Sequence, residues 1–364
     1  MRKNILIAVS GTGGHVYPGT ALAYELKKAG LNPVFIVNDN KNGVSLKIVK
    51  ASGYEYKILN FKAPSRKISL RLFVFPFNLI KAFFDAKKTI NEFKPKVVVG
   101  MGAYLSFPVL SAAKLKKIPT LIHEQNSVPG LANKILSKFV TRIAVSFKSS
   151  QKYFDNNKTV FTSNPVRRDI FAISRIDAAK KLKLNPNIFT IFVFGGSLGA
   201  AKLNTIMLEA AKRLYFLHKN EIQFIHITGN NDFDVINEKY SSLQTQKFIT
   251  KYMNDIGNAY ACSDLVVCRA GAGTVREIEF YDLPAIFVPF PYATDNHQYF
   301  NALSVQKQNY RIVIEEKNID KEEIINFIEL HFSTRTETKK IMPPATFPQE
   351  TLAKEVIKLI DEKI

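Results

Sequence analysis

The sequence predicts an α/β protein built from two tandem Rossmann-like doubly wound domains facing a cleft, and three observations predict it. Short β-branched runs alternate with longer helical stretches along the chain. The alternation restarts after Pro165. Four strand ends run directly into small-residue turns. A length of 364 residues suits two domains at ~100–200 residues each.

In the first half, residues 5–9, 33–37, 97–99, 120–122 and 143–146 read as strands, with a helix over 18–28. Their apolar residues run continuously instead of alternating, as in parallel strands buried on both faces. In the second half, residues 188–194, 223–228, 265–268 and 285–288 read as strands, with helices over 202–217 and 274–280. The expected domains are 1–165 and 166–348. Pro343, Pro344 and Pro348 form a stiff connector. Beyond it, 349–364 reads as an amphipathic helix with Leu352, Val356, Leu359 and Ile360 on one side, expected to pack back on the first domain. Sheets of this kind bind ligands beyond the carboxyl ends of their strands, at one cleft if two sheets face each other.

Composition excludes several classes. Hydrophobic residues at 46% and charged residues at 23% are ordinary for a globular chain. Cys262 and Cys268 are too few for a disulfide framework and lack zinc-ligand spacing, so reduced buried thiols of a cytoplasmic protein are expected. The apolar run after the basic Met1-Arg2-Lys3-Asn4 is too short for a signal peptide, and no run of ~18 apolar residues could span a bilayer. The net charge of +20 asks for an anionic partner. Nothing resembles a zinc finger, an RNP motif or a basic block for nucleic acid. An anionic membrane attracts each nearby Lys or Arg by about 1 kcal/mol. Simple solubility is the blander account of the same charge.

The four turns are Ser10-Gly11-Thr12-Gly13-Gly14-His15, Gly100-Met101-Gly102-Ala103-Tyr104, Gly195-Gly196-Ser197-Leu198-Gly199-Ala200 and Ala270-Gly271-Ala272-Gly273-Thr274. A glycine after a strand lets backbone approach a ligand, and the following helix aims N–H groups at a phosphate. Tight strand-to-helix packing explains any one such turn equally well. None is an ATPase phosphate loop, and 11–14 is not a proper GxGxxG with a following acid, which disfavours a nicotinamide-dependent dehydrogenase. After the fourth turn, Glu277 suits a ribose diol, with a capping acid as the bland alternative. His297 and Gln298 are typed for sugar hydroxyls. His123-Glu124-Gln125-Asn126 puts four polar residues at a strand's carboxyl end.

Taken together, residues 11–15, 123–126 with 129–134, Asn164-Pro165-Val166-Arg167, 195–200 and 268–301 resemble the UDP-N-acetylglucosamine–N-acetylmuramyl-(pentapeptide) pyrophosphoryl-undecaprenol N-acetylglucosamine transferases, over the whole chain. The resemblance implies a two-domain GT-B glycosyltransferase that transfers N-acetylglucosamine from UDP to the 4-hydroxyl of the muramyl sugar of lipid I. Inversion then gives lipid II in peptidoglycan synthesis, with roles in cell shape and division. It implies that Thr12, Gly13 and Gly14 lie near the sugar and diphosphate, that Asn126 and Gln298 contact N-acetylglucosamine, and that Arg167 and Ser197 lie near the diphosphate. Met253 would offer its backbone to uracil, Glu277 would hold the ribose, and Ala272, Gly273, Thr274, Val275, Arg276 and Glu277 would wrap the nucleotide. Met253 replaces the family's frequent isoleucine, and position 297 is His where some members have glutamine.

No Asp-x-Asp metal motif is present, so helix N-termini, Ser197 and Arg167 are expected to stabilise departing UDP with no obligatory metal or other cofactor. His15 is the candidate base, imidazole's ordinary pKa of ~6.5 suiting proton removal at neutral pH; a neutral donor to phosphate is its other reading. Glu124 is the second candidate. The lipid-linked acceptor calls for docking at the anionic inner leaflet, on the cytoplasmic face of the membrane. Residues 66–88 carry Phe73, Phe75, Phe77, Ile80, Phe83 and Phe84 among Arg66, Lys67, Arg71, Lys81, Lys87 and Lys88, and an aromatic stripe packed in the core is the blander account. A helix begun by Pro76 would align Phe77, Ile80 and Phe84. A UDP-N-acetylglucosamine 2-epimerase and other glycolipid-forming transferases share such a donor site and are the rival readings.

Overall fold

The computed structural model describes residues 3–38, 43–61, 70–196, 199–335 and 344–362, with residues 70–74 described by backbone alone. The chain forms two compact units, Met1–Arg167 with Thr346–Ile364, and Arg168–Ala345.

The first unit runs β1 (Asn4–Val9), α1 (Gly13–Lys28), β2 (Asn32–Val37), α2 (Val44–Ala51), β3 (Glu55–Ile58), α3 (Leu70–Phe93), β4 (Val97–Gly100), α4 (Ser106–Leu115), β5 (Thr120–Glu124), α5 (Leu131–Leu136), β6 (Arg142–Val145) and β7 (Thr159–Phe161). All neighbouring strands are parallel, in the order β3-β2-β1-β4-β5-β6-β7. Residues 5–9 and 97–100 are buried throughout because helices cover both faces. One core joins β1 and β2 to Val16, Leu22 and Leu26 of α1; the other joins them to Ala82, Ala86 and Ile90 of α3 and to Val109 and Leu110 of α4. The strand order reverses between β1 and β4, the place where such sheets bind ligands.

The second unit runs α6 (Arg175–Leu182), β8 (Phe189–Phe194), α7 (Ala201–His218), β9 (Ile222–Ile227), α8 (Phe233–Ser241), β10 (Lys247–Thr250), α9 (Ile256–Cys262), β11 (Leu265–Cys268), α10 (Ala272–Tyr281), β12 (Ala285–Phe287), α11 (His297–Leu303), β13 (Arg311–Val313) and α12 (Lys321–Ser333). Its sheet is again parallel, ordered β10-β9-β8-β11-β12-β13, and reverses between β8 and β11. The last helix, α13 (Pro348–Asp361), belongs to the first unit. Its Leu352, Val356, Leu359 and Ile360 enter the core shared by α1 and β1. Val166 N–H donates to Gln349 Oε1 at 3.2 Å, tying the helix start to the end of the first unit.

Two helix starts differ from the sequence reading, both at prolines. Proline favours a first turn, which suggested starts at Pro18 and Pro76. Both lie inside their helices. A proline there removes one i→i−4 bond. In α1, burial of Val16, Leu22 and Leu26 outweighs that loss and the poor helix propensity of Gly13 and Gly14. The earlier start sets His15 on the first turn of α1 instead of in a loop.

Candidate active site

In the first unit the turns after β1, β4 and β5 meet at the strand-order reversal. Gly11, two residues beyond β1, takes φ +88; Gly11, Thr12 and Gly14 are exposed. A Cβ on Gly14 would meet only Thr12 Oγ1 at 3.6 Å, so backbone is open to a ligand there. His15 follows, with Nδ1 3.0 Å from Oε1 of Gln125.

Strand alternation divides the polar quartet at the end of β5 into two pairs with different jobs. Glu124 and Asn126 make one pair. Glu124 is buried, and its oxygens accept from Asn126 N at 2.9 Å, Asn126 Nδ2 at 3.4 Å, Gly130 N at 3.2 Å and Asn133 Nδ2 at 2.8 Å. Burial pushes its carboxyl pKa up, against those four hydrogen bonds. Its carboxylate shapes the 126–130 loop. Asn126, half-buried, is held at that loop's start.

His123 and Gln125 make the other pair, which the sequence reading left without roles. Both are buried, and Gln125 Nε2 lies 3.0 Å from His123 Nδ1 and 3.1 Å from the Met101 carbonyl. Burial lowers the His123 pKa from 6.5 to about 4, with His15 adding to the shift, so the ring is neutral at pH 7. The detectable signal was the period of two, which puts 123 and 125 on one face of the strand. Arg167 ends the unit with its guanidinium 4.7 Å from the ring centroid of Tyr17, one turn along α1 from the glycines.

In the second unit the third and fourth glycine turns follow β8 and β11, at that sheet's own reversal. A Cβ on Gly195 would lie 2.5 Å from Ala200 Cβ, and one on Gly199 would lie 2.4 Å from the Thr228 carbonyl. These glycines serve close packing that carries the chain into α7. Ser197 lies outside the described residues. Gly271 caps α10, whose first turn holds Ala272, Gly273 and Thr274 and no acid, so its N–H groups and positive end suit a phosphate.

Two residues of the nucleotide segment face elsewhere. Val275 is fully buried and its N–H bonds Gly271 O at 2.9 Å, so it anchors the helix. Arg276 is paired with Glu279 on its own helix and lies over Phe280, with burial lowering its pKa. Glu277 is half-buried, and Oε2 accepts from the hydroxyl of buried Tyr260 at 2.9 Å. Met253, half-buried, lies in the loop after β10.

Gln298 sits at the start of α11. Its Oε1 accepts from Ala270 N at 3.2 Å and Phe290 N at 3.0 Å. Two N–H donors fix which amide atom is oxygen, so Gln298 offers Nε2–H groups to a ligand and reads a hydroxyl as an acceptor. His297 Nδ1–H donates to Thr294 O at 2.7 Å, within its own turn. Buried Arg269 bonds the carbonyls of Val288 and Pro289 at 3.2 and 3.0 Å and pairs with Glu316, fixing the loop that leads to Gln298.

A stripe on α3 faces outward. Phe77, Ile80 and Phe84 are 74%, 55% and 59% exposed, and Lys81 is exposed beside them. Phe83 is half-buried against the core, edge-on to Phe84. Leu79, Ile80, Phe83 and Phe84 line a shallow apolar groove with Phe107, Pro108 and Ser111 of α4. The side chain of Phe73 lies outside the described residues, as do Arg66, Lys67 and the side chain of Arg71. Among the described residues no helix is long and apolar enough to cross a membrane. The charge is divided unevenly. The first unit holds 30 of the 51 basic and 11 of the 31 acidic residues, a net +19; the second holds 21 and 20, a net +1.

Two parallel sheets, each with glycine turns and a helix N-terminus at its strand-order reversal, define a two-unit α/β protein suited to a nucleotide ligand, and the family matches make it a glycosyltransferase. Residues 5–145 match the glycosyltransferase family 28 N-terminal domain and residues 190–359 its C-terminal domain. The chain is 40% identical over 319 residues to the UDP-N-acetylglucosamine–N-acetylmuramyl-(pentapeptide) pyrophosphoryl-undecaprenol N-acetylglucosamine transferase of Acetivibrio thermocellus, covering 86% of this chain and 85% of that one. The crystal structure of Acinetobacter baumannii MurG superposes with a TM-score of 0.71 at 25% identity over 99% of both chains. A UDP-GlcNAc 2-epimerase from Neisseria meningitidis matches at a TM-score of 0.62 and 14% identity over 100% of both chains, a likeness of fold alone. The chain belongs to the MurG family within glycosyltransferase family 28.

Proposed function

We propose that this glycosyltransferase moves N-acetylglucosamine from UDP-N-acetylglucosamine to the 4-hydroxyl of the muramyl sugar of lipid I, with inversion, yielding lipid II at the cytoplasmic face of the membrane. The observation that carries the reading is the division between the units. One, with a net charge of +1, holds the turn at the start of α10 and Glu277; the other, with a net +19, holds His15 and the exposed Phe77–Ile80–Phe84 stripe. An enzyme whose donor is soluble and whose acceptor sits in an anionic bilayer needs that asymmetry. Each Lys or Arg near the surface contributes about 1 kcal/mol, and each large apolar side chain about 1.5–3 kcal/mol when fully buried. A handful of each gives reversible docking without a spanning helix.

The roles follow from the residues. Glu277 holds the ribose diol, the loop at Met253 meets the base, and the N-terminus of α10 faces the diphosphate. Gln298 donates to a sugar hydroxyl. Thr12, Gly13, Gly14 and Asn126 are assigned to the sugar, and Arg167 to the charge of departing UDP. His15 takes the acceptor proton as the sugar carbon leaves phosphate oxygen for the acceptor oxygen.

The test is product analysis with UDP-N-acetylglucosamine, with and without lipid I. UDP release that requires lipid I and yields lipid II supports the reading. Epimerised UDP-sugar formed without lipid I would replace it.

A further inference from the structure

We propose that Gln125 and His123 are positioning residues that hold the His15 ring as its Nδ1–H tautomer, so that Nε2 is the nitrogen that receives the acceptor proton. The inference rests on the reading of His15 as the base and names how that base is kept in its working form.

The hydrogen bonds assign every proton in turn. The Met101 carbonyl can only accept, so the Gln125 atom 3.1 Å away is the amide nitrogen. The Ser163 carbonyl, 3.2 Å from His123 Nε2, can also only accept, and the Ser146 hydroxyl 3.4 Å from the same nitrogen donates to Asn164 Oδ1, so Nε2 of the neutral His123 ring carries hydrogen. His123 Nδ1 is therefore an acceptor, and it takes the second amide hydrogen of Gln125 at 3.0 Å. Both Gln125 hydrogens are now used, and its Oε1 faces His15 Nδ1 at 3.0 Å. An amide oxygen cannot donate, so Nδ1 of His15 carries the hydrogen and Nε2 keeps the basic lone pair.

The backbone is arranged around this chain of bonds. Gly102 takes φ +78, and a Cβ there would stand 3.0 Å from both Gln125 Oε1 and His15 Nδ1. Ser163 adopts φ +63, a left-handed conformation uncommon for a non-glycine residue, where its carbonyl meets His123. The second glycine turn thus makes room for a hydrogen bond. During transfer the acceptor O–H proton passes to His15 Nε2, the acceptor oxygen bonds to the sugar carbon, and the carbon–phosphate-oxygen bond breaks with its electron pair leaving on UDP. His15 ends as imidazolium with Nδ1–H still bonded to Gln125.

The experiment is a long-range 1H–15N spectrum of the full chain with 15N-labelled histidine, recorded above the imidazole titration range. The His15 signals are assigned by their loss in His15→Ala. The expected spectrum shows Nδ1 protonated and Nε2 bare. Gln125→Leu should return the ring to a tautomer mixture and lower kcat at least about 10-fold, the lower end for an orienting partner, with KM for UDP-N-acetylglucosamine little changed. Gly102→Ala, which removes no polar group, should do the same. A wild-type ring protonated on Nε2 overturns the proposal and needs no variant to be folded. Gln125→Leu with an unchanged tautomer and unchanged kcat also overturns it. Full turnover in His15→Ala, by contrast, overturns the reading of His15 as the base, whatever the tautomer.

Discussion

The two units are built on the same plan and differ in what they do with it. Each has a parallel sheet that reverses order beside its first strand, β1 with β4 and β8 with β11. Each buries one histidine completely behind that reversal and holds it with a side-chain amide. In the second unit His226 Nε2 meets Asn204 Oδ1 at 3.0 Å, while Asn204 Nδ2 donates to Thr228 O and Asp232, both at 2.8 Å. The other ring nitrogen meets the hydroxyl of fully buried Tyr240 at 3.2 Å, and on that side the network ends in the core. In the first unit the same device runs outward, from His123 through Gln125 to the half-buried His15. A buried polar network is stiffening in one place and, extended by one residue toward the surface, positions a titratable group in the other. Net charges of +19 and +1 follow the same division.

Breaking the outward network at its end has the largest expected effect. His15→Ala should cut single-turnover transfer by roughly 10²–10⁴ while UDP affinity, in which His15 is given no part, stays at the wild-type value. Glu277→Ala should do the reverse. Loss of hydrogen bonding to a charged group is worth about 1.5–3 kcal/mol, or about 10- to 100-fold in UDP affinity by calorimetry. Tyr260→Phe, which removes only the donor to Glu277, should cost about 1 kcal/mol or less.

The buried histidines set an acid limit on stability. Burial lowers His123 to about 4 and His226 to about 3. As pH falls below about 6.5 the unfolded chain binds these protons and the folded chain does not, so stability is present above that value and is lost on the way down. The His123 contribution is exhausted near pH 4 and that of His226 near pH 3, each on the order of a few kcal/mol. In urea unfolding, the His226→Gln midpoint should fall less than wild type across that window; parallel curves would contradict the assignment.

The smallest expected changes concern charge and metal. Lys81→Ala should weaken binding to anionic vesicles by about 1 kcal/mol, roughly fivefold. Turnover should survive EDTA, since the account gives phosphate charge to helix termini and Arg167; activity lost and restored by magnesium would contradict it.

How much of this was legible depends on the range of the physics involved. The doubly wound architecture could be read because fully buried parallel strands leave continuous apolar runs such as 97–99 and 265–268. Edge strands could not: β3 is mostly exposed and β10 half-buried, so neither carries such a run. Pro18 misled because proline preference is local, whereas the start of α1 is decided by packing on β1. In the site, Glu277 and Gln298 could be singled out by residue type after a glycine turn. Glu124 could be singled out because a carboxylate's chemistry is visible in sequence, whereas its contacts with Asn126, Gly130 and Asn133 depend on how the 126–130 loop folds. Gln125 was missed because its partners lie 110 residues back at His15 and 24 back at Met101.

The most direct test of the division between the units uses one variant and two acceptors. Phe77, Ile80 and Phe84 are replaced together by Ser, and transfer is measured with lipid I in anionic vesicles and with a water-soluble lipid I analogue. The account predicts at least about a 10-fold loss with the vesicle acceptor and wild-type turnover with the soluble one. Equal turnover with both acceptors, or an equal loss with both, would contradict it.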